Sequence, residues 1–209
     1  MNELPSVVYV VDDDEHVRTA LARLIRLAGY RVETFVSAEA FIERVDREGD
    51  PACLLLDLQL PGLSGLALQR RLPEWLPIIF MSGHGDMNSA VDAMKAGAMD
   101  FLPKPVSENV LLEALERALE RARRIFASRV ELADIQRRVN LLTPREHEVM
   151  TLVVAGYLNK QVASELGAAE KTIKIHRARV MEKMQAGSLA ELVRLAEKVD
   201  STPARDARR

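Results

Sequence analysis

The chain has 209 residues, 48% apolar and 29% charged, the balance of a folded globular protein and not of a disordered or fibrous one. Its formal charge of −2 hides a division: residues 1–120 carry 11 Lys/Arg against 20 Asp/Glu, whereas residues 121–209 carry 18 against 11. No apolar run approaches the ~18 residues of a membrane span, and MNELPSVVYV lacks the pattern of a signal peptide. With one cysteine, Cys53, an internal disulfide is excluded and a cytoplasmic protein is expected. Cys53 lies in the apolar run ACLLLDL and reads as a buried small hydrophobe. The basic second half is a prior for nucleic-acid or membrane contact.

In chain order, short apolar runs alternate with amphipathic stretches. Strands are predicted at Val7–Val11, Arg31–Val36, Cys53–Leu56, Ile78–Met81 and Asp100–Leu102, with helices at 15–28, 38–47, 65–72 and 86–96 and another starting near Ser107. Strict β/α alternation predicts a parallel sheet with helices on both faces. VVYVV and LPIIF read as strands buried on both sides.

Ser107 to Asn140 contains neither Gly nor Pro and repeats apolar residues at helical spacing, which predicts one long helix or two nearly continuous ones. Its arginines, among them Arg123, Arg129 and Arg138, read as a solvated face. Thr143-Pro144-Arg145-Glu146 is a capping box with Pro at the first helical position. Asn159 is the expected cap of the next helix, Glu170 to Met184 forms a third, and Ser188 caps a fourth. The expected organisation is a first domain over 1–122, a helical linker over 123–139, a helical domain over 140–200 and a disordered tail over 201–209.

Ligands of an open parallel sheet bind beyond the carboxyl ends of its strands. Asp12 and Asp13 follow the first strand there, Asp57 the third, Ser82 the fourth and Lys104 the fifth. Three converging carboxylates need a cation, and oxygen-only ligands favour Mg²⁺. Asp57 stands alone at its strand end and is the candidate nucleophile for an acyl phosphate, with Lys104 and Ser82 stabilising the phosphoryl oxygens. Asp14 and Glu15 read as helix-capping acids.

VVDDDE, LLLDLQLPGLSG, FMSGHG and FLPKP together resemble the receiver domain of two-component response regulators, over about residues 5–122. The resemblance implies a flavodoxin-like doubly wound sheet of order 2-1-3-4-5 and phosphorylation of Asp57 by a sensor histidine kinase. It also implies Mg²⁺ on Asp12, Asp13, Asp57 and the Gln59 main-chain carbonyl. Lys104 would pair with the phosphoryl group, Ser82 would move toward it, Phe101 would be the switch aromatic, and Lys104-Pro105 would be cis.

NKQVASELG and EKTIKIHRARVMEK read as a helix-turn-helix, the second helix holding five basic and two acidic groups. Ala163, Leu166, Ile173 and Val180 have core spacing, while Lys171, Lys174, Arg177, Arg179 and Lys183 take the other positions. LTPREHEVMTLVVAGYLNKQVASELG with KTIKIHRARVMEKM resembles the LuxR-type DNA-binding domain. The whole chain is similar to the FixJ subfamily, which implies a phosphorylation-controlled homodimer on double-stranded DNA, not an enzyme on other substrates. By that resemblance Lys174, Ile175 and Ala178 face the major groove, while Lys160, Thr172, His176 and Arg177 lie near phosphates; Lys171 is a further expected DNA contact. Where that family usually has Ile-Ser, this chain has Ala168-Ala169, a lost cap worth ~1 kcal/mol, and Glu170 is the expected substitute. Rival readings are a metal-dependent phosphatase, disfavoured because Gln59 stands where a second Asp belongs, and a protein-interaction module.

Overall fold

The computed structural model describes residues 6–45, 49–83 and 87–200, with the backbone alone at 87 and 200. The predicted tail at 201–209 lies outside the described residues. The chain divides into two units, Met1–Ala127 and Ser128–Arg209.

Near-continuous Val/Ile/Leu runs form the strands of the first unit: β1 (Val7–Val11), β2 (Arg31–Phe35), β3 (Ala52–Asp57), β4 (Ile78–Ser82) and β5 (Asp100–Pro103). They pair in parallel in the order β2-β1-β3-β4-β5, as expected. Side chains of a strand alternate between faces. Val7, Tyr9, Val11, Leu54, Leu56 and Phe80 therefore share one core with Ala38, Phe41, Leu68 and Ala93 of α2 (Ala38–Arg44), α3 (Gly65–Gln69) and α4 (Met87–Lys95). Val8, Val10, Cys53, Leu55, Ile79 and Met81 face α1 (Glu15–Leu27) and the start of α5 (Glu108–Asn140), through Leu21, Ile25, Leu111, Leu115 and Leu119. Cys53 is fully buried, and burial pushes its thiol pKa up to about 12, so it is the inert apolar residue expected.

Several helices end earlier than their sequence pattern suggests. Val45 is already extended, so α2 stops at Arg44. Helix α3 stops at Gln69, and its chain tightens through Arg71 N–H to Leu68 O and Leu72 N–H to Gln69 O. Pro73 supplies the reason, because the residue before a proline avoids helical backbone.

Helix α5 is one continuous element of 33 residues. Two of its arginines are not the solvated groups expected: Arg123 Nε donates to Ser6 Oγ at 3.1 Å, and Arg138 Nη1 donates to Met184 O at 3.2 Å. Its end supplies Ile135 to the second unit's core, where Val149 and Val153 of α6 (Pro144–Val154), Val162 of α7 (Asn159–Glu165), Ile173 and Val180 of α8 (Glu170–Met184), and Leu192 of α9 (Leu189–Asp200) meet.

Thr143 and Glu146 form the predicted capping box: Glu146 N–H donates to Thr143 Oγ1 at 3.3 Å, and Thr143 N–H to Glu146 Oε2 at 2.9 Å. Ser188 caps α9 through Glu191 N–H at 3.2 Å. Two expected caps are corrected. Leu158 occupies the cap position of α7 and its N–H is taken by Gln161 Oε1 at 2.8 Å, while Asn159 is already helical. At α8 the cap residue is Ala169, without a side-chain bond, and Glu170 reaches forward to Lys174 Nζ at 3.2 Å instead of capping.

Candidate functional site

The strand ends bring the predicted carboxylates and lysine together. Asp12 is fully buried just beyond β1, and Asp57, the last residue of β3, is 7% exposed. Lys104 Nζ bridges them, at 2.6 Å from Asp12 Oδ2 and 2.7 Å from Asp57 Oδ2. Asp13 is exposed, and one carboxylate oxygen each of Asp12, Asp13 and Asp57 lie within 4.8 Å of one another. The peptide Lys104-Pro105 is cis, and Lys104 N–H donates to Ser82 O at 2.7 Å, which ties the β4 and β5 ends at the site.

Burial pushes the Asp12 carboxyl up from its ordinary range, and the charge of Asp57 adds to the rise; Lys104 and the Asp14 N–H oppose it without cancelling it. Burial pulls the Lys104 ammonium down, but its contacts with both carboxylates outweigh that and hold it above its ordinary value. One ammonium against three carboxylates leaves an excess negative charge that a divalent cation would balance. The all-oxygen donor set suits a hard ion such as Mg²⁺.

Neighbouring groups fix the acids. Asp12 Oδ1 accepts the Asp14 N–H at 2.9 Å, and Arg18 Nη1 donates to Asp12 O at 2.8 Å. Asp14 itself caps α1, accepting His16 N–H at 2.8 Å and Val17 N–H at 3.2 Å, the structural role expected of it. Gln59 N–H donates to Asp57 Oδ1 at 3.1 Å, which holds the residue with the candidate carbonyl ligand beside the acid. Ser82 is buried at the end of β4, and Phe101 on β5 is half-buried against the core that contains Phe80 and Ala93.

Sequence reasoning missed two supports. Arg18 reads locally as an ordinary helix-surface arginine. Gly65 opens α3 so close to β3 that a β-carbon there would lie 2.5 Å from Asp57 O and 3.0 Å from Phe80 Cε1. Gly65→Ala is therefore expected to displace the Asp57 backbone and slow acyl-phosphate formation by roughly 10²-fold, measured as the initial rate of labelling by a small phosphoryl donor.

In the second unit, α8 leaves Lys171, Thr172, Lys174, Ile175 and Ala178 exposed, and Lys160 on α7 is exposed as well. His176 and Arg177 are half-buried, with Arg177 Nη1 donating to Asn159 Oδ1 at 3.0 Å. Lys183 points away from solvent chemistry: its Nζ lies 2.6 Å from Glu146 Oε2 and 3.0 Å from Leu141 O. Ile173 and Val180 are buried, and Leu166 packs on the same core.

Residues 8–116 match the response regulator receiver domain, and residues 140–196 match the luxR family of bacterial regulatory proteins. The chain belongs to the response regulator family. The chain is similar to several regulators over most of its length. The response regulator protein TodT of Pseudomonas putida is 43% identical over 202 residues, covering 95% of this chain and 88% of TodT. Nodulation protein W of Bradyrhizobium diazoefficiens is 46% identical over 195 residues, 92% of this chain and 86% of that one. The transcriptional regulatory protein FixJ of Rhizobium meliloti is 43% identical over 194 residues, 90% of this regulator and 94% of FixJ. Among solved structures, the response regulator StyR superposes with a TM-score of 0.82 at 44% identity, covering 93% of this chain and 99% of that one. This regulator is thus a transcriptional response regulator with a receiver domain and a LuxR-type DNA-binding domain. Among the described residues no helix is long and apolar enough to cross a membrane.

Proposed function

We propose that the regulator takes a phosphoryl group from a sensor histidine kinase onto Asp57 and, once phosphorylated, dimerises on double-stranded DNA to control transcription in the cytoplasm. The observation that carries this reading is the Asp57 carboxylate held at the end of β3, 2.7 Å from Lys104 Nζ and within reach of Asp12 and Asp13. Transfer forms a bond between an Asp57 carboxylate oxygen and phosphorus while the donor's N–P bond breaks, the electron pair returning to the kinase imidazole. Lys104 exchanges a carboxylate contact for phosphoryl oxygens, and Ser82 at the neighbouring strand end offers its hydroxyl to the same group. Asp12, Asp13, Asp57 and the Gln59 carbonyl would hold Mg²⁺, which when bound neutralises charge on the phosphoryl group. No other substrate is required, so the protein catalyses only its own phosphorylation and dephosphorylation.

The phosphoryl group adds up to two negative charges at the sheet edge. Ser82 and Phe101 would pass that change to the face built from α4, β5 and the start of α5, where Val91 and Met94 of α4 are 44% and 46% exposed. Apolar side chains left open on one face suit an isologous dimer contact. A dimer then presents two copies of α8 to two DNA half-sites.

Acetyl phosphate with Mg²⁺ is expected to raise both the dimer fraction, by light scattering, and DNA affinity, by fluorescence anisotropy. Unchanged affinity would overturn the proposal. Affinity is expected to fall steeply with added salt, since Lys and Arg displace counterions from the phosphates. Binding indifferent to salt would favour the protein-interaction reading. Lys174→Glu is expected to weaken specific binding by roughly tenfold or more and to erode discrimination between sequences, whereas Arg129→Glu on α5 changes it little. Equal losses in the two variants would mean that the DNA face lies elsewhere.

A further inference from the structure

Among the described residues of the first unit, the buried polar side chains are Ser6, Asp12, Asp57, Gln69 and Ser82. Three of these belong to the phosphoacceptor site, and Gln69 does not. It closes α3, is 7% exposed, and shares the layer of the apolar Leu68. A leucine or methionine would fill that place without the cost of burying an amide.

The amide is spent on one neighbour. Gln69 Nε2 donates to Ala93 O at 3.1 Å, in the last turn of α4, and to Ala96 O at 3.2 Å, just past it. Reversing the amide would set its oxygen against two carbonyls, so the orientation follows from the acceptors. Gln69 Oε1 is buried without a hydrogen-bond partner among the described residues, so the group is not a fully satisfied core amide. Ala93 O also accepts the Ala98 N–H at 3.0 Å, so Gln69 adds to that backbone cap a second donor from another helix.

Helix α4 buries few side chains of its own. From residue 88 to 95 Ala93 alone is buried, with Ser89 and Ala90 half-buried and the others exposed. An element with so few buried apolar contacts is expected at the low end of local stability. At its other end α3 touches the acceptor strand: Gly65 N–H donates to Leu58 O at 3.2 Å, and the close approach at Gly65 is to Asp57 O. Five residues of helix therefore run from the phosphoacceptor backbone to the last turn of α4.

We propose that Gln69 is a positioning residue that clamps the C-terminal turn of α4 to α3 and thereby sets how far phosphorylation of Asp57 changes the α4 face. This rests on the phosphorylation-dependent reading above. Gln69 touches no reacting atom and acts only through α4.

The test uses the full chain with Gln69→Met, which keeps the length and removes both donors. Acetyl-phosphate labelling of Asp57 is expected to match the wild type. Amide exchange at residues 93–98 should quicken roughly tenfold, the loss of two neutral hydrogen bonds, while β3 and α8 stay protected. DNA affinity without phosphorylation should rise several-fold and affinity with it stay level, so the ratio between the two narrows. Gln69→Glu, which places an acceptor against the two carbonyls, should narrow it further. Faster exchange with an unchanged ratio would leave Gln69 a packing residue only and overturn the proposal, as would unchanged exchange. A wild-type ratio of one would instead overturn the phosphorylation-dependent reading itself. Should neither variant fold, the wild-type Gln69 side-chain NH₂ resonances decide. They are expected to shift and lose protection on phosphorylation, and constancy there overturns the clamp.

Discussion

Asp57→Asn is expected to abolish acetyl-phosphate labelling and, with it, the phosphate-dependent rise in DNA affinity. The amide has the shape of the carboxylate, and its oxygen can still accept the Gln59 N–H that now reaches Asp57 Oδ1. It lacks the anionic oxygen that must attack phosphorus, so the rate falls to the background of other carboxylates. Fold stability should hold, because Lys104 keeps its 2.6 Å contact with Asp12 and the site loses one of three mutually repelling acids. Intact-mass spectrometry reads the result: a single added phosphoryl on the wild type and none on the variant. Labelling retained in Asp57→Asn would remove Asp57 as the nucleophile. A labelled wild type with unaltered DNA affinity would separate phosphorylation from the output. Neither outcome can be confused with unfolding if the single tryptophan, Trp75 in the first unit, keeps its emission.

The acidic site was legible in the sequence because its side chains sit at the ends of strands whose apolar runs are unmistakable. VVYVV places Asp12 and Asp13, and CLLLD places Asp57; once the sheet is parallel the acids have nowhere to go but one edge. Lys104 follows the same logic one strand later, and its two ion pairs connect residues 92 and 47 positions apart. The supports are a different matter. Arg18, Gln69 and Asn159 act through bonds to the Asp12 carbonyl, to α4 and to Arg177. Nothing in their neighbours' identities announces such long-range partners: Arg18 and Gln69 read locally as ordinary helix residues, and Asn159 as a cap. Helix ends failed for a related reason. A periodic apolar pattern outlasts the helix when a proline such as Pro73 forces the backbone out early. Asn159 was expected as a cap on residue type alone, whereas Gln161 does that work from inside the helix. The basic charge was a sound pointer to DNA but a poor map of it: Arg123, Arg138 and Lys183 are tied to protein groups, and the exposed part of α8 is a smaller set.

Lys183→Met is expected to destabilise the DNA-binding domain by about 1.5–3 kcal/mol, the range for a hydrogen bond to a charged group, and to make it sensitive to mild acid. Glu146 is 2% exposed, lies in the first turn of α6, and accepts both the Thr143 N–H and Lys183 Nζ. The Lys183 contact first, and the Thr143 N–H next, hold its carboxyl down to about 2. A carboxyl lower in the folded state than in the unfolded chain stabilises the fold above its unfolded value. That contribution drains away as the pH falls from about 4.5 toward about 2. Removing the ammonium leaves the buried carboxylate with Thr143 alone, so its folded value rises and the acid transition moves to higher pH. Glu146→Gln keeps a side chain suited to the capping box while removing that titration, so the variant's stability should vary less across the same window. The two units give separate signals: Trp75 reports the receiver, and loss of helical circular dichroism without a change in Trp75 emission reports the second. A helical transition in Lys183→Met at the wild-type pH would show that Glu146 does not depend on Lys183. A tryptophan transition shifted by the same amount would show that the two units do not unfold separately. With the predicted outcome, Lys183 counts as a structural residue of the basic helix, and its charge is withdrawn from the surface that meets DNA.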